Sequence, residues 1–155
     1  MKPMKQTACA LFFALLSATA PVLGHGTAEA HGAALGKPGD AARISRSIAV
    51  EVNDSMRFVP AAIAVKRGET VRFLVTNSGQ LKHEMILGSI VALKEHAALM
   101  RKFPDMEHAD PNQVVVQPGA TGILIWQFTR SGHLDFACLQ PGHFEAGMKG
   151  RVAIK

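Results

Sequence analysis

The stretch Phe136-Ala-Cys-Leu-Gln-Pro-Gly-His-Phe-Glu-Ala-Gly-Met-Lys-Gly150 decides how this chain is read. It sets Cys138, His143 and Met148 at equal intervals in a loop broken by Pro141, Gly142, Gly147 and Gly150. Thiolate, imidazole and thioether together make a soft donor set suited to a transition metal. On the N-terminal side Leu134, Phe136 and Cys138 fall at strand spacing, so they share the inward face and the sulfur lies where the strand ends. On the C-terminal side Val152 and Ile154 repeat that spacing. Glycine and proline let the loop fold back tightly between the two strands.

Outward from that loop the period of two continues. Ile48, Val50 and Val52 alternate with polar or small residues; Phe58-Val59 leads past Pro60 to Ile63 and Val65. Val71, Phe73 and Val75 line one face of another strand between turns at Lys66-Arg67-Gly68-Glu69 and Asn77-Ser78-Gly79. Strands resume at Val114-Val115-Val116, turn at Pro118-Gly119 and run from Ile123 to Phe128. Short strands punctuated this often predict an all-β sandwich or barrel of about eight strands. One segment departs from the pattern: in Ser89 to Phe103 the residues Ile90, Leu93, Ala97 and Met100 recur at helical spacing. Ser89 can cap the start and Pro104 lies beyond the end. One helix is therefore inserted between strands, with a loop following it through Asn112.

The N-terminus has a different character. Lys2 and Lys5 precede an apolar run from Ala8 to Leu23 that ends in small residues, the layout of a secretory signal peptide over 1–24. The run is too short and wrongly flanked for a stable membrane span. Cleavage after Gly24 leaves His25 first; cleavage after Ala20 is disfavoured because Pro21 would follow the scissile bond. Residues 25–46 then form an arm rich in Gly and Ala, expected to be flexible and bearing His25 and His31, ahead of a domain at 47–155. Export implies a periplasmic protein with no membrane span after cleavage. It also removes Cys9, one of only two cysteines, and leaves Cys138 without an internal disulfide partner. Such a thiol is either protected by a metal or buried as an inert small hydrophobe. The net charge falls from +5 to +3 once Lys2 and Lys5 are gone, with no basic run, which argues against nucleic-acid binding.

A trigonal copper site uses two histidines and a cysteine with a weak axial methionine, so the loop lacks one imidazole. His83, in Gln80-Leu81-Lys82-His83-Glu84-Met85 just after the Asn77-Ser78-Gly79 turn, is the best candidate. With His83 added, Asn77-Ser-Gly…His83 and Phe136-Ala-Cys138-x4-His143-x4-Met148-x-Gly150 resemble the blue-copper cupredoxins, the plastocyanin, azurin and auracyanin group, from Ile48 to Lys155. The resemblance implies a Greek-key β-sandwich holding one type 1 copper through His83, Cys138, His143 and Met148. Multicopper oxidases are less similar, since no His-x-His pairs occur, and a binuclear copper centre would need two cysteines in the loop.

Electron transfer is the reading taken at this level, with copper tolerance as its alternative and a third class kept open. The resemblance implies electron transfer through a copper cycling between Cu(I) and Cu(II), with a redox partner such as a cytochrome and with His143 at the solvent edge. The second is copper tolerance among copper-handling proteins. There the α-amine, His25 and His31 would form an accessory copper site, and His96, Met100, Met106, His108 and Met85 supply further donors. Periplasmic cupredoxins implicated in copper tolerance resemble this layout, with a His-bearing arm ahead of the copper domain. The third is a thiol enzyme using Cys138 with His143 as base, although no orienting carboxylate beyond Glu145 and no oxyanion arrangement can be read. The non-enzymatic readings fit the residues better.

Overall fold

A computed structural model describes residues 35–104, 106 and 109–155. The signal peptide, the first part of the arm with His25 and His31, and His108 lie outside the described residues. The elements in chain order are β1 (Gly36–Pro38), a 3-10 turn (Ala41–Arg43), β2 (Arg46–Asn53), β3 (Arg57–Val59), β4 (Ala62–Val65), β5 (Thr70–Asn77), β6 (His83–Gly88), α1 (Ile90–Lys102), β7 (Gln113–Val116), β8 (Thr121–Phe128), β9 (Gly132–Ala137) and β10 (Lys149–Ile154). They form two five-stranded sheets, ordered β1-β8-β5-β2-β3 and β4-β10-β9-β6-β7. The β2–β5 and β4–β10 pairs are parallel and the other pairs antiparallel.

The expected all-β sandwich with one inserted helix is therefore the fold observed. Alternation along the strands places Val50, Val52, Phe73, Val75 and Phe128 from one sheet in a single core with Met85, Leu87, Phe136 and Val152 from the other. Burying each such side chain contributes about 1.5–3 kcal/mol. Aromatic rings lock the layers: Phe58 meets Phe136 edge to face at 5.0 Å, and Phe73 meets Phe128 likewise at 6.3 Å. Edge-to-face contact suits the ring quadrupoles.

Three differences raise the strand count above the expected eight. Part of the stretch read as a flexible arm is built into the sandwich, because Gly36 and Pro38 lie opposite Phe128 and Trp126 at the free edge of β8. The run from Phe58 to Val65 is two strands in different sheets, broken at Pro60, which has no N–H to carry a ladder onward. The third is β6, which escapes an alternation test because all six of its residues are buried.

Helix α1 explains that burial. Leu93, Ala97 and Met100 pack against Ile86, Ala137, Leu139 and Phe144, so β6 and β9 have the main core on one face and the helix on the other. The Ser89 hydroxyl caps α1 as expected, accepting the Ala92 N–H at 3.2 Å. The buried stripe is Ala92, Leu93, Ala97 and Met100; Ile90, expected to face inward, is exposed. No helix among the described residues is long and apolar enough to cross a membrane.

Candidate metal centre

Cys138 lies one residue beyond β9, where the ladder to β10 ends and the loop begins. The loop is then closed by its own backbone. The Cys138 N–H donates to the Met148 carbonyl at 3.1 Å, the Met148 N–H to His143 at 3.0 Å, and the His143 N–H to Gln140 at 2.9 Å. These three bonds fold the loop back on itself and bring Cys138 and His143 together. Gly142 and Gly147 turn the chain with φ of +87° and +93°, values that side-chain-bearing residues adopt only at a cost.

His83 reaches the same point from the other direction as the first residue of β6, paired with Val116. The bend before it is organised by buried Asn77, whose amide donates to the carbonyls of Leu81 at 2.8 Å and Val116 at 3.0 Å. The Asn77 side-chain oxygen accepts the Gly79 N–H at 2.9 Å, an Asx turn. The turn read from Asn77-Ser78-Gly79 is thus what delivers His83.

The donors converge. Nδ1 of His143 lies 3.2 Å from the Cys138 sulfur and Nδ1 of His83 lies 3.9 Å from it. The two imidazoles stand 4.9 Å apart, tilted by 48°. Among the described residues, His83, Cys138 and His143 form the one cluster whose ligand atoms all lie within 4.8 Å of one another. Two donors at ordinary metal–ligand distances of about 2.0–2.3 Å from one ion, near trigonal angles, stand roughly 3.5 Å apart. The observed spacings bracket that value, so the donor set fits a copper ion. Met148 is fully buried in the same core cluster as Cys138.

His83 and Cys138 are 0% exposed, whereas His143 is partly exposed. Burial, and next the charge of nearby Glu84, push the Cys138 thiol up to about 12. Burial, and next His83, push His143 below its ordinary value, which favours the neutral ring with one nitrogen lone pair available to a metal. Buried Glu84 accepts the Leu139 N–H at 2.9 Å, tying β6 to the residue after Cys138. The Asp54 carboxylate lies 3.1 Å from Nε2 of His83, and the Arg57 guanidinium donates to the Ala146 carbonyl at 3.0 Å.

Asp54, Arg57, Asn77 and Glu84 were not singled out as site residues by sequence reasoning. Their only signal is position: Asp54 and Asn77 occupy turns, where such residues are ordinary, and Glu84 directly follows a candidate ligand. Of the further donors, Met85 and Met100 belong to the core, and Met106 packs against the helix cluster.

A family model described as copper-binding proteins of the plastocyanin/azurin family matches residues 44–155. The chain is 53% identical over 133 residues to the copper-resistant cuproprotein CopI of Rubrivivax gelatinosus, covering 84% of this chain and 81% of that protein. It is 40% identical over 155 residues to the protein of that name in Pseudomonas aeruginosa, covering 81% and 85%. Among solved structures, reduced auracyanin from Roseiflexus castenholzii superposes with a TM-score of 0.62 at 17% identity, over 72% of this chain and 98% of that one. That likeness speaks for the fold alone.

Proposed function

The chain belongs to the copper-binding plastocyanin/azurin family, and from that premise we propose that it is a periplasmic copper-tolerance protein holding one type 1 copper. The observation that carries the reading is the convergence of two imidazole nitrogens on a buried, unpaired thiol in a chain whose close relatives are named for copper resistance. His83, Cys138 and His143 would hold the copper, with Met148 as a further, weaker donor. Bound there, copper supplies one-electron chemistry between Cu(I) and Cu(II).

The protein's part is to bind and to hold still. Backbone bonds across the loop and the Asn77 bend hold the donors in place, so a change of oxidation state would meet little rearrangement. The sulfur is fully buried in the main core, which keeps water from it. Partly exposed His143 is the edge through which an electron enters or leaves. The same buried thiol, holding its proton to about 12, is a poor nucleophile, which counts against catalysis by Cys138.

In tolerance, binding in the exported compartment lowers free copper, and the arm with His25 and His31 supplies an accessory Cu(II) site. A second reading, electron transfer to a redox partner such as a cytochrome, is favoured by the partly exposed ligand edge. The experiment that separates them is growth on copper. A strain lacking the protein should become copper-sensitive, wild type should rescue it, and Cys138→Ser should not. Normal growth on copper with impaired respiration would favour the carrier.

A further inference from the structure

An imidazole that binds a metal through one nitrogen leaves the other in need of a partner, and that partner sets tautomer, ring angle and basicity. For His83 the partner is in view. Its Nδ1 faces the Cys138 sulfur, while Nε2 lies 3.1 Å from Oδ1 of Asp54, in the turn between β2 and β3. The carboxylate is itself held in place. The Gln80 N–H donates to Oδ2 at 2.8 Å and the Leu81 N–H to Oδ1 at 3.2 Å. The approach is close enough that a Cβ on Gly79 would fall 2.1 Å from Oδ1. His83 is 0% exposed and the Asp54 side chain 37%, so this carboxylate joins the buried ring to the solvent side.

An ionised carboxylate only accepts hydrogen bonds, so a bond to Asp54 requires the proton of His83 on Nε2 and leaves the Nδ1 lone pair directed into the cluster.

We propose that Asp54 is a positioning residue of the copper centre, which fixes His83 as an Nδ1 ligand and biases the site toward Cu(II). The bias follows from charge: a negative group bonded to a ligand stabilises the more positive ion. The inference rests on the copper-site reading above, and its test keeps the two apart.

Asp54→Asn and Asp54→Ala are compared with wild type and with Asp40→Asn. Asp40 is an exposed carboxylate of the 3-10 turn whose partners are the Ala42 N–H and Arg43, not a residue of the copper centre. Cu(II) and Cu(I) affinities are measured by chelator competition, the potential by redox titration, the site by EPR and the metal-free fold by thermal melting. The expected result for Asp54→Asn is Cu(II) affinity lowered by about 10–100-fold. Cu(I) affinity should change less, the potential should rise, the copper hyperfine pattern should alter, and the metal-free melting temperature should stay near wild type. Asp40→Asn should match wild type in copper affinity, potential and EPR. Wild-type affinities and potential in both Asp54 variants would overturn the proposal. So would equal losses for Cu(I) and Cu(II) alongside a lowered metal-free melting temperature, the mark of a merely structural role. A wild-type protein that binds no copper would instead remove the site reading and the proposal with it.

Discussion

Cys138 cannot bind copper without giving up a proton. Its thiol is raised from 9.0 to about 12, so at neutral pH the metal-free site holds SH and copper must displace it. Copper binding should release one proton from this group, and apparent affinity should fall about tenfold for each unit that pH is lowered. A pH-indicator dye in weak buffer, read during a copper titration, checks the stoichiometry. The same shift has a sign for the metal-free fold. Below pH 9.0 folded and unfolded chains both keep the proton; between 9.0 and about 12 only the unfolded chain loses it. Stability should therefore fall across that window by about 1.4 kcal/mol per pH unit at most. His143 acts at the other end. Its lowered pKa makes the folded state resist protonation, so metal-free stability also declines as pH drops below the ordinary 6.5. Melting curves from acid to alkaline pH test both limbs. The side chains that carry this chemistry were legible in the sequence because Cys138, His143 and Met148 stand close together with their glycines. Glu84 and Asp54 were not. A carboxylate beside a candidate ligand or in a turn looks like a solvated surface group until tertiary contacts are known.

The elements that deliver the ligands were legible unequally. Helix α1 was readable because its caps and its apolar spacing are local; only Ile90 fell on the wrong side. Strand β6 was not, since a strand covered on both faces loses the period of two. The division of Phe58–Val65 between two sheets depends on which partner each half finds, and no local signal carries that. What could be read was the bend at Asn77-Ser78-Gly79, and it makes a prediction. Asn77→Ala removes two amide donors from the Leu81 and Val116 carbonyls and the acceptor for Gly79. The loss of these largely buried bonds should cost about 1–3 kcal/mol of stability. Because the bend positions His83, copper affinity should fall as well, while β9 and the ligand loop keep their structure. Denaturant melts and chelator competition measure the two effects, and unchanged copper affinity would detach the bend from the site.

At the scale of the molecule, the sandwich makes the centre a property of the fold rather than of the metal. The three donors are held by core strands and by the loop's own backbone bonds. The metal-free protein should accordingly be folded, with a far-ultraviolet spectrum like that of the copper form. Copper should add stability by mass action alone, about 4 kcal/mol at a thousandfold excess over Kd. A metal-free chain that is unfolded would contradict this. The overall architecture was readable from strand spacing and turn residues, but the joining of Gly36–Pro38 to β8 was not, because a Gly- and Pro-containing segment shows no strand pattern. The sandwich forms one wall of the centre from β9 and another from β6, with the ligand loop between them.

The most direct test is a Cu(II) titration of the mature protein, followed by visible absorption and EPR beside Cys138→Ser. The predicted result is an intense thiolate-to-copper band that saturates at one copper per chain and is absent in the variant. A variant as strongly coloured as wild type, or a wild type that stays pale, would contradict the assignment.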